Sequence, residues 1–150
     1  MPDNLKKIKE LTDTLNKIEL NLASENQTLT DVLDNTLDGY WDWNIVTNYE
    51  YLSPSWKNQL GYSDSELENS TSTWMKLIHS DDLTDALQQF ADHVKSKGKI
   101  KFEVISRYKH KLGHTVDILC RGCVCEWDDD KPVRMVGVHI DITDLIKKFK

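Results

Sequence analysis

The chain has no cysteine before residue 120, and its three cysteines, Cys120, Cys123 and Cys125, crowd into one short apolar run. An odd number so clustered excludes a complete disulfide framework and suits a reducing compartment. Cys120-Arg-Gly-Cys123 has the spacing of a metal knuckle, but its surroundings read as a strand, in which successive side chains alternate faces. Cys123 and Cys125 then share one face and Cys120 takes the other, so no three-sulfur cage forms. No metal site is expected, and all three read as small buried strand residues. Positive charge is also short. The 19 Lys and Arg against 25 Asp and Glu leave a net charge of −6 with no basic face, which excludes nucleic acid as a partner. No apolar run approaches the roughly 18 residues of a membrane helix, and Met1-Pro-Asp-Asn-Leu-Lys-Lys7 lacks the apolar centre of a signal peptide. Membrane insertion by these residues is therefore not expected, and a cytoplasmic location is. The six glycines are dispersed, so there is no phosphate loop. No serine stands with a spaced His and Asp, and Asp128-Asp-Asp130 reads as a solvated turn. No catalytic residue is assigned, and no enzymatic activity is expected of these residues.

Glycine and proline are missing from residues 3 to 38 as well, which leaves a long helix over residues 4–36 uninterrupted. Ile8, Leu11, Leu15, Ile18, Leu22, Leu29 and Val32 follow the alternating three-and-four spacing of a heptad seam, broken only at Glu25. An amphipathic helix packed on its own domain would show a similar stripe. Strict spacing over about four heptads favours a two-stranded coiled coil, and hence a homodimer through this helix.

From residue 37 the pattern changes. Tyr40-Trp-Asp-Trp-Asn-Ile-Val46, a turn at Thr47-Asn48 and Tyr49-Glu-Tyr-Leu52 predict a hairpin. Ser53-Pro54 opens a short helix that Gly61 closes, and Ser63-Asp-Ser-Glu66 is a capping box. After the apolar cluster of Trp74, Met75, Leu77 and Ile78, Ser80-Asp-Asp82 caps a longer helix with Leu83, Ala86, Leu87, Phe90 and Val94 on one stripe, ending at Gly98. Three further strands follow, broken at Lys109-His-Lys-Leu-Gly-His114 and at Asp128-Asp-Asp-Lys-Pro132. The last runs into Asp141 and Thr143, residue types that favour a helix start, and then into Leu145, Ile146 and Phe149 among lysines. The sequence thus predicts an α+β domain over residues 37–143, with a coiled-coil helix (1–36) before it and the start of a second helix (144–150) after it. Its sheet is antiparallel and five-stranded, the helices are inserted after strand 2, and a small cavity lies between helices and sheet.

Gly39-Tyr-Trp-Asp-Trp-Asn44, Leu52-Ser-Pro-Ser-Trp56, Leu60-Gly-Tyr62, Trp74-Met-Lys-Leu-Ile-His-Ser-Asp-Asp82, the Lys111-Leu-Gly113 turn, Arg121-Gly122, Lys131-Pro132 and Gly137-Val-His-Ile-Asp-Ile-Thr143 resemble, in this order and spacing, the PAS family with its trailing PAC segment. The resemblance covers residues 38–143. It implies the PAS fold and a sensory or dimerising module that regulates an attached output domain, such as a histidine kinase or a diguanylate cyclase of a two-component or related system. Kinase or cyclase activity would then lie outside these residues. It also implies that the helices before the first strand and after the Asp-Ile-Thr run link input to output, with Asp141 and Thr143 as the relay. Two positions depart from the family. Leu112 replaces the acid of the usual Lys-Asp-Gly turn, and Ile105 stands where Glu is common, which removes a surface ion pair worth little. Photoactive flavin relatives carry a cysteine in their helical segment. None precedes Cys120 here, so flavin-adduct chemistry is excluded.

The cofactor, if any, is left unknown. Trp43, Phe90, Phe102, Val104 and Met135 are the candidate ligand-pocket residues. The five tryptophans read as core and interface packing, with Trp41 or Trp43 as a residue that could face the cavity and leave room for only a small ligand. Strand alternation puts Trp41, Trp43 and Ile45 on one face. His93 lies about one step outside the helix stripe and reads as an exposed or partly buried structural histidine rather than a haem ligand. His79 reads as a capping residue, His110 and His114 as solvated, and His139 as a core hydrogen-bonding residue rather than a pH switch. The alternatives to a relaying sensor are a ligand-free protein-interaction domain filled by its own aromatics and a receptor for a small molecule or haem.

Overall fold

The computed structural model describes residues 2–36 and 38–149. Leu37 and Lys150, the expected first residue of the domain and last residue of the second helix, lie outside them. The chain divides into two units, Met1–Thr36 and Leu37–Lys150. The first is helix α1, Pro2–Asn35. The seam residues Ile8, Leu11, Leu15, Ile18, Leu22, Leu29 and Val32 are each 49–60% exposed on it.

The second unit orders as β1 (Gly39–Asn44), β2 (Tyr49–Leu52), α2 (Pro54–Gln59), a 3-10 turn (Asp64–Glu66), α3 (Thr71–Leu77), α4 (Ser80–Lys95), β3 (Phe102–Lys109), β4 (Thr115–Asp128), β5 (Lys131–Asp141) and α5 (Thr143–Lys148). The five strands form one antiparallel sheet in the order β2-β1-β5-β4-β3. The inserted helices carry the chain from β2 at one edge to β3 at the other, so they lie across one face and leave a β3-β4-β5 meander behind. Local chemistry sets the joints. Ser53 Oγ accepts both the Trp56 N–H that opens α2, at 3.1 Å, and the Tyr40 N–H of β1, at 3.0 Å, so one hydroxyl ties α2 to the sheet. Gly61, at φ +84°, turns the chain out of α2, where an added Cβ would also run into the His110 ring.

The core lies between helices and sheet, on the face of β1 that carries Trp41, Trp43 and Ile45. Trp41 lies over Gly137 and Gly122, which sit side by side on β5 and β4. His79, rather than Ser80, is the N-cap of α4, with Nδ1 accepting the Asp81 N–H at 3.2 Å. Asp82 pairs with Arg107 through 2.8 and 2.9 Å hydrogen bonds, and this bond holds the Asp82 carboxyl down at about 2. Arg107 thus finds an acid on α4 despite Ile105.

Four sequence expectations are corrected. His93 is not exposed or partly buried but 1% accessible. Its Nε2 accepts the Val124 N–H at 3.1 Å, so Nδ1 carries the hydrogen donated to Ile100 O at 2.7 Å. Pairing of β3 with β4 ends at Phe102 and Gly122, and the histidine takes over the backbone N–H that β4 presents beyond that point. Cys123 and Cys125 are exposed while Cys120 is buried, because Val116, Ile118, Cys120 and Val124 claim the inner face of β4. His139 is buried among rings, 5.2 Å from Trp56 and 5.4 Å from Tyr108 between centroids. Its carbonyl accepts from Gln59 Nε2 at 2.9 Å, but its ring makes no hydrogen bond among the described residues, where the sequence predicts a core hydrogen bond. His110, also expected to be solvated, is half-buried and stacks on His114 at 4.1 Å.

Candidate ligand cavity and helix junction

A cavity of about 70 Å³ opens between α3, α4 and the inner face of the sheet. β1 contributes Trp41 and Trp43, and Glu50 stands opposite Trp43 in the β1–β2 register. Period-2 alternation places Glu50 on the same face as core residue Leu52, so the carboxylate points inward and is only 5% exposed. Its Oε2 accepts the Trp74 indole N–H from α3 at 2.8 Å. Burial raises the carboxyl from its usual range to about 7, with the Trp74 hydrogen bond working in the opposite direction. Phe90 of α4 packs on Trp43 at 5.2 Å between ring centroids. The rest of the wall includes Phe102, Val104, Ser106 and Tyr108 from β3, Cys120 from β4, and Met135 and His139 from β5.

All five pocket candidates, Trp43, Phe90, Phe102, Val104 and Met135, stand around this one cavity. Sequence reading missed Glu50, Trp74 and His139 as lining residues. The signal for Glu50 was an acid alternating with Leu52 in a strand one turn away from two tryptophans. Among the described residues the wall carries no Lys or Arg. Its other titratable groups are held neutral by burial. His139 is lowered to about 3, and the Tyr108 hydroxyl and Cys120 thiol are pushed up. The indole N–H groups of Trp41 and Trp56 are buried without an acceptor among the described residues. A volume of this size admits a few waters or a small organic group, far below the several hundred Å³ of larger cofactor sites. Both His93 ring nitrogens are already occupied by backbone partners. Among the described residues, no cluster of three or more His, Cys, Asp or Glu is arranged to hold a metal ion, and no helix is long and apolar enough to cross a membrane.

The second constellation is where β5 becomes α5. Asp141 Oδ1 accepts from the Thr143 N–H at 3.0 Å and from its hydroxyl at 2.6 Å. That orients Thr143 Oγ1 to accept the Asp117 N–H of β4 at 3.0 Å, while the Ile142 N–H donates to Asp117 O at 2.9 Å. The start of α5 is therefore bolted to the Asp117 backbone of β4 by two opposed hydrogen bonds, one accepted by the Thr143 hydroxyl and one donated by the Ile142 main chain. His139, in the cavity wall, lies two residues upstream on β5.

A family model described as the PAS fold matches residues 49–139. The chain belongs to the PAS family. A structure from a sensory box histidine kinase/response regulator of Burkholderia thailandensis E264 is 30% identical, covers 81% of this chain and 88% of its own, and superposes with a TM-score of 0.70. The N-terminal domain of a diguanylate cyclase with a PAS/PAC sensor from Marinobacter aquaeolei is 21% identical over 73% of this chain and 98% of its own, with a TM-score of 0.62. A PAS domain from Colwellia psychrerythraea is 18% identical over 79% and 97%, with a TM-score of 0.61. No curated protein sequence gives a significant match. Family and fold give this PAS domain a sensory role.

Proposed function

We propose that the chain is a cytoplasmic PAS sensor and dimerisation module in which the packing of the cavity sets the junction at Asp141 and Thr143, and through it the helix that leaves the domain. It acts as a non-enzymatic input, with helix 1–36, PAS domain 37–143 and signalling helix from 144, upstream of a histidine kinase or diguanylate cyclase type output domain in cis. The observation that carries this reading is the hydrogen-bonded junction, because a cavity residue, His139, and the relay residue Asp141 share one strand only two positions apart. A relay needs an element with two arrangements that both ends can bias, and a helix held by a few side-chain bonds meets that requirement.

Hydrogen exchange tests it. Filling the cavity by Ala86→Leu is expected to change protection of amides 143–148 at least threefold in the wild-type background and to leave them unchanged beside Thr143→Val. Equal exchange in α5 with and without the filled cavity would remove the relay and leave a plain interaction module. The dimer has its own test. The exposed seam on α1 is the geometry that a parallel partner helix would cover. Sedimentation equilibrium is expected to show a dimer for the chain and a monomer for Leu15→Asp, at least a hundredfold weaker in association. A wild-type monomer at micromolar concentration would end the dimer proposal.

A further inference from the structure

The cavity wall is chemically one-sided. Of the fifteen described residues that line the cavity, seven are aromatic (Trp, Phe or Tyr) and Glu50 is the one among them that can carry charge near neutral pH. A bound anion would meet that carboxylate with no Lys or Arg to offset it, and would lose its own hydration as well. A neutral apolar guest would fill the volume but leave the buried carboxylate as costly as before. A small organic cation satisfies both features at once. Its charge pairs with Glu50, and its alkyl groups fill the space among the rings of Trp41, Trp43 and Phe90, which also line the cavity; aromatic cages hold ammonium groups in this way. The carboxylate is held in place by Trp74, so little ordering remains to be done on binding.

We infer that this cavity is a receptor site for a small monovalent organic cation, an alkylammonium or quaternary ammonium group of a few carbon atoms, held by Glu50 within the aromatic wall. The inference rests on the sensor reading above and supplies its ligand class. The binding form is ionised Glu50, so binding is linked to proton release. The groups that face it from the surrounding elements are Trp74 on α3, the apolar Ala86, Leu87 and Phe90 on α4, Tyr108 on β3, Cys120 on β4 and His139 on β5. None of these changes charge between pH 5.5 and 8. Affinity follows the ionised fraction of Glu50, and with its carboxyl at about 7 it falls about thirtyfold from pH 8 to pH 5.5.

The experiment is a titration of the full chain, followed by tryptophan fluorescence, with four probes of similar size: tetramethylammonium, propylammonium, neutral 2,2-dimethylpropanol and anionic trimethylacetate. At pH 8 the expected result is saturable binding of at least one cation, at least tenfold weaker binding of the alcohol, and no binding of the anion. Glu50→Gln is expected to keep the alcohol and lose the preference for the cation. The pH series on the unmutated chain reads the same linkage without any substitution. The inference is overturned if the alcohol binds as tightly as both cations, if cation affinity is unchanged in Glu50→Gln or at pH 5.5, or if no probe binds. In each of those cases the α5 exchange response to Ala86→Leu would still decide the sensor reading separately.

Discussion

Glu50→Gln is expected to stabilise the ligand-free domain at pH 8 by about 3 kcal/mol more than at pH 4, a difference that urea unfolding at the two pH values measures. The carboxyl is raised to about 7 in the folded chain from an ordinary value of 4.5. The folded state therefore holds a proton that the unfolded chain has released, and stability falls as pH rises from 4.5 through 7. A shift of that size corresponds to about 3 kcal/mol once both states are ionised. Glutamine keeps an oxygen for the Trp74 N–H and has no proton to lose, so its stability carries no such slope.

His139 makes the comparison sharper. Burial lowers it to about 3 from 6.5, so the unfolded chain binds the proton first and stability falls as pH drops from 6.5 toward 3. Between pH 4.5 and 6.5 the two slopes have opposite signs and nearly cancel. The wild-type profile is expected to be flat there, and Glu50→Gln to uncover a stability that climbs with pH until about 6.5 and then levels. Parallel wild-type and variant curves from pH 4 to 8 would show that Glu50 titrates normally. The stored penalty is also what a cation in the cavity would relieve, which links the empty domain's instability to the proposed recognition.

The sequence carried most of the fold because local rules and global arrangement agree. Ser53 before Pro54, the Ser63 capping box and Gly61 each mark an element end by chemistry confined to a few neighbours. Strand alternation likewise put Trp41 and Trp43 together. What escaped depends on long-range partners. An acid in a strand reads as solvated, and Glu50 is held inside by an indole 24 residues away. His93 looks peripheral to the α4 stripe, yet its place is decided by Val124, 31 residues on, whose N–H needs an acceptor where β3 stops. The exposure of Cys123 and Cys125 follows from which face of β4 the sheet's neighbours leave open. Periodicity groups Glu50 with Leu52 and separates Cys120 from Cys123 and Cys125, but which face is buried, and which polar group finds a partner there, is decided only by the assembled sheet.

Gly137→Ala is expected to destabilise the domain by at least about 3 kcal/mol, beyond the usual range for overpacking, and Gly122→Ala by less. Trp41 on β1 is in register with Gly137, and Gly137 in turn with Gly122. The indole lies flat across both because neither has a side chain to hold it off. A Cβ at Gly122 would come within 2.7 Å of Trp41 Cη2, the far end of a ring that has some freedom to shift, and 3.1 Å from Val136 O. A Cβ at Gly137 would come within 2.6 Å of Trp41 Cε2 and would also press into the backbone carbonyl of Arg121. Relief there means separating β4 from β5, the most extensively paired strands of the sheet, or lifting Trp41 out of the core. A second substitution separates the two clashes. In a Trp41→Phe background the shorter ring makes room for a methyl group on residue 122, so Gly122→Ala should cost less than about 1 kcal/mol there, while Gly137→Ala remains severe because the Arg121 carbonyl has not moved. Urea unfolding of the four combinations measures this. Equal, mild losses at both glycines would mean that Trp41 is not seated on them. That result would also displace part of the cavity wall, since the ring that covers the two glycines is one of the residues that line the proposed ligand site.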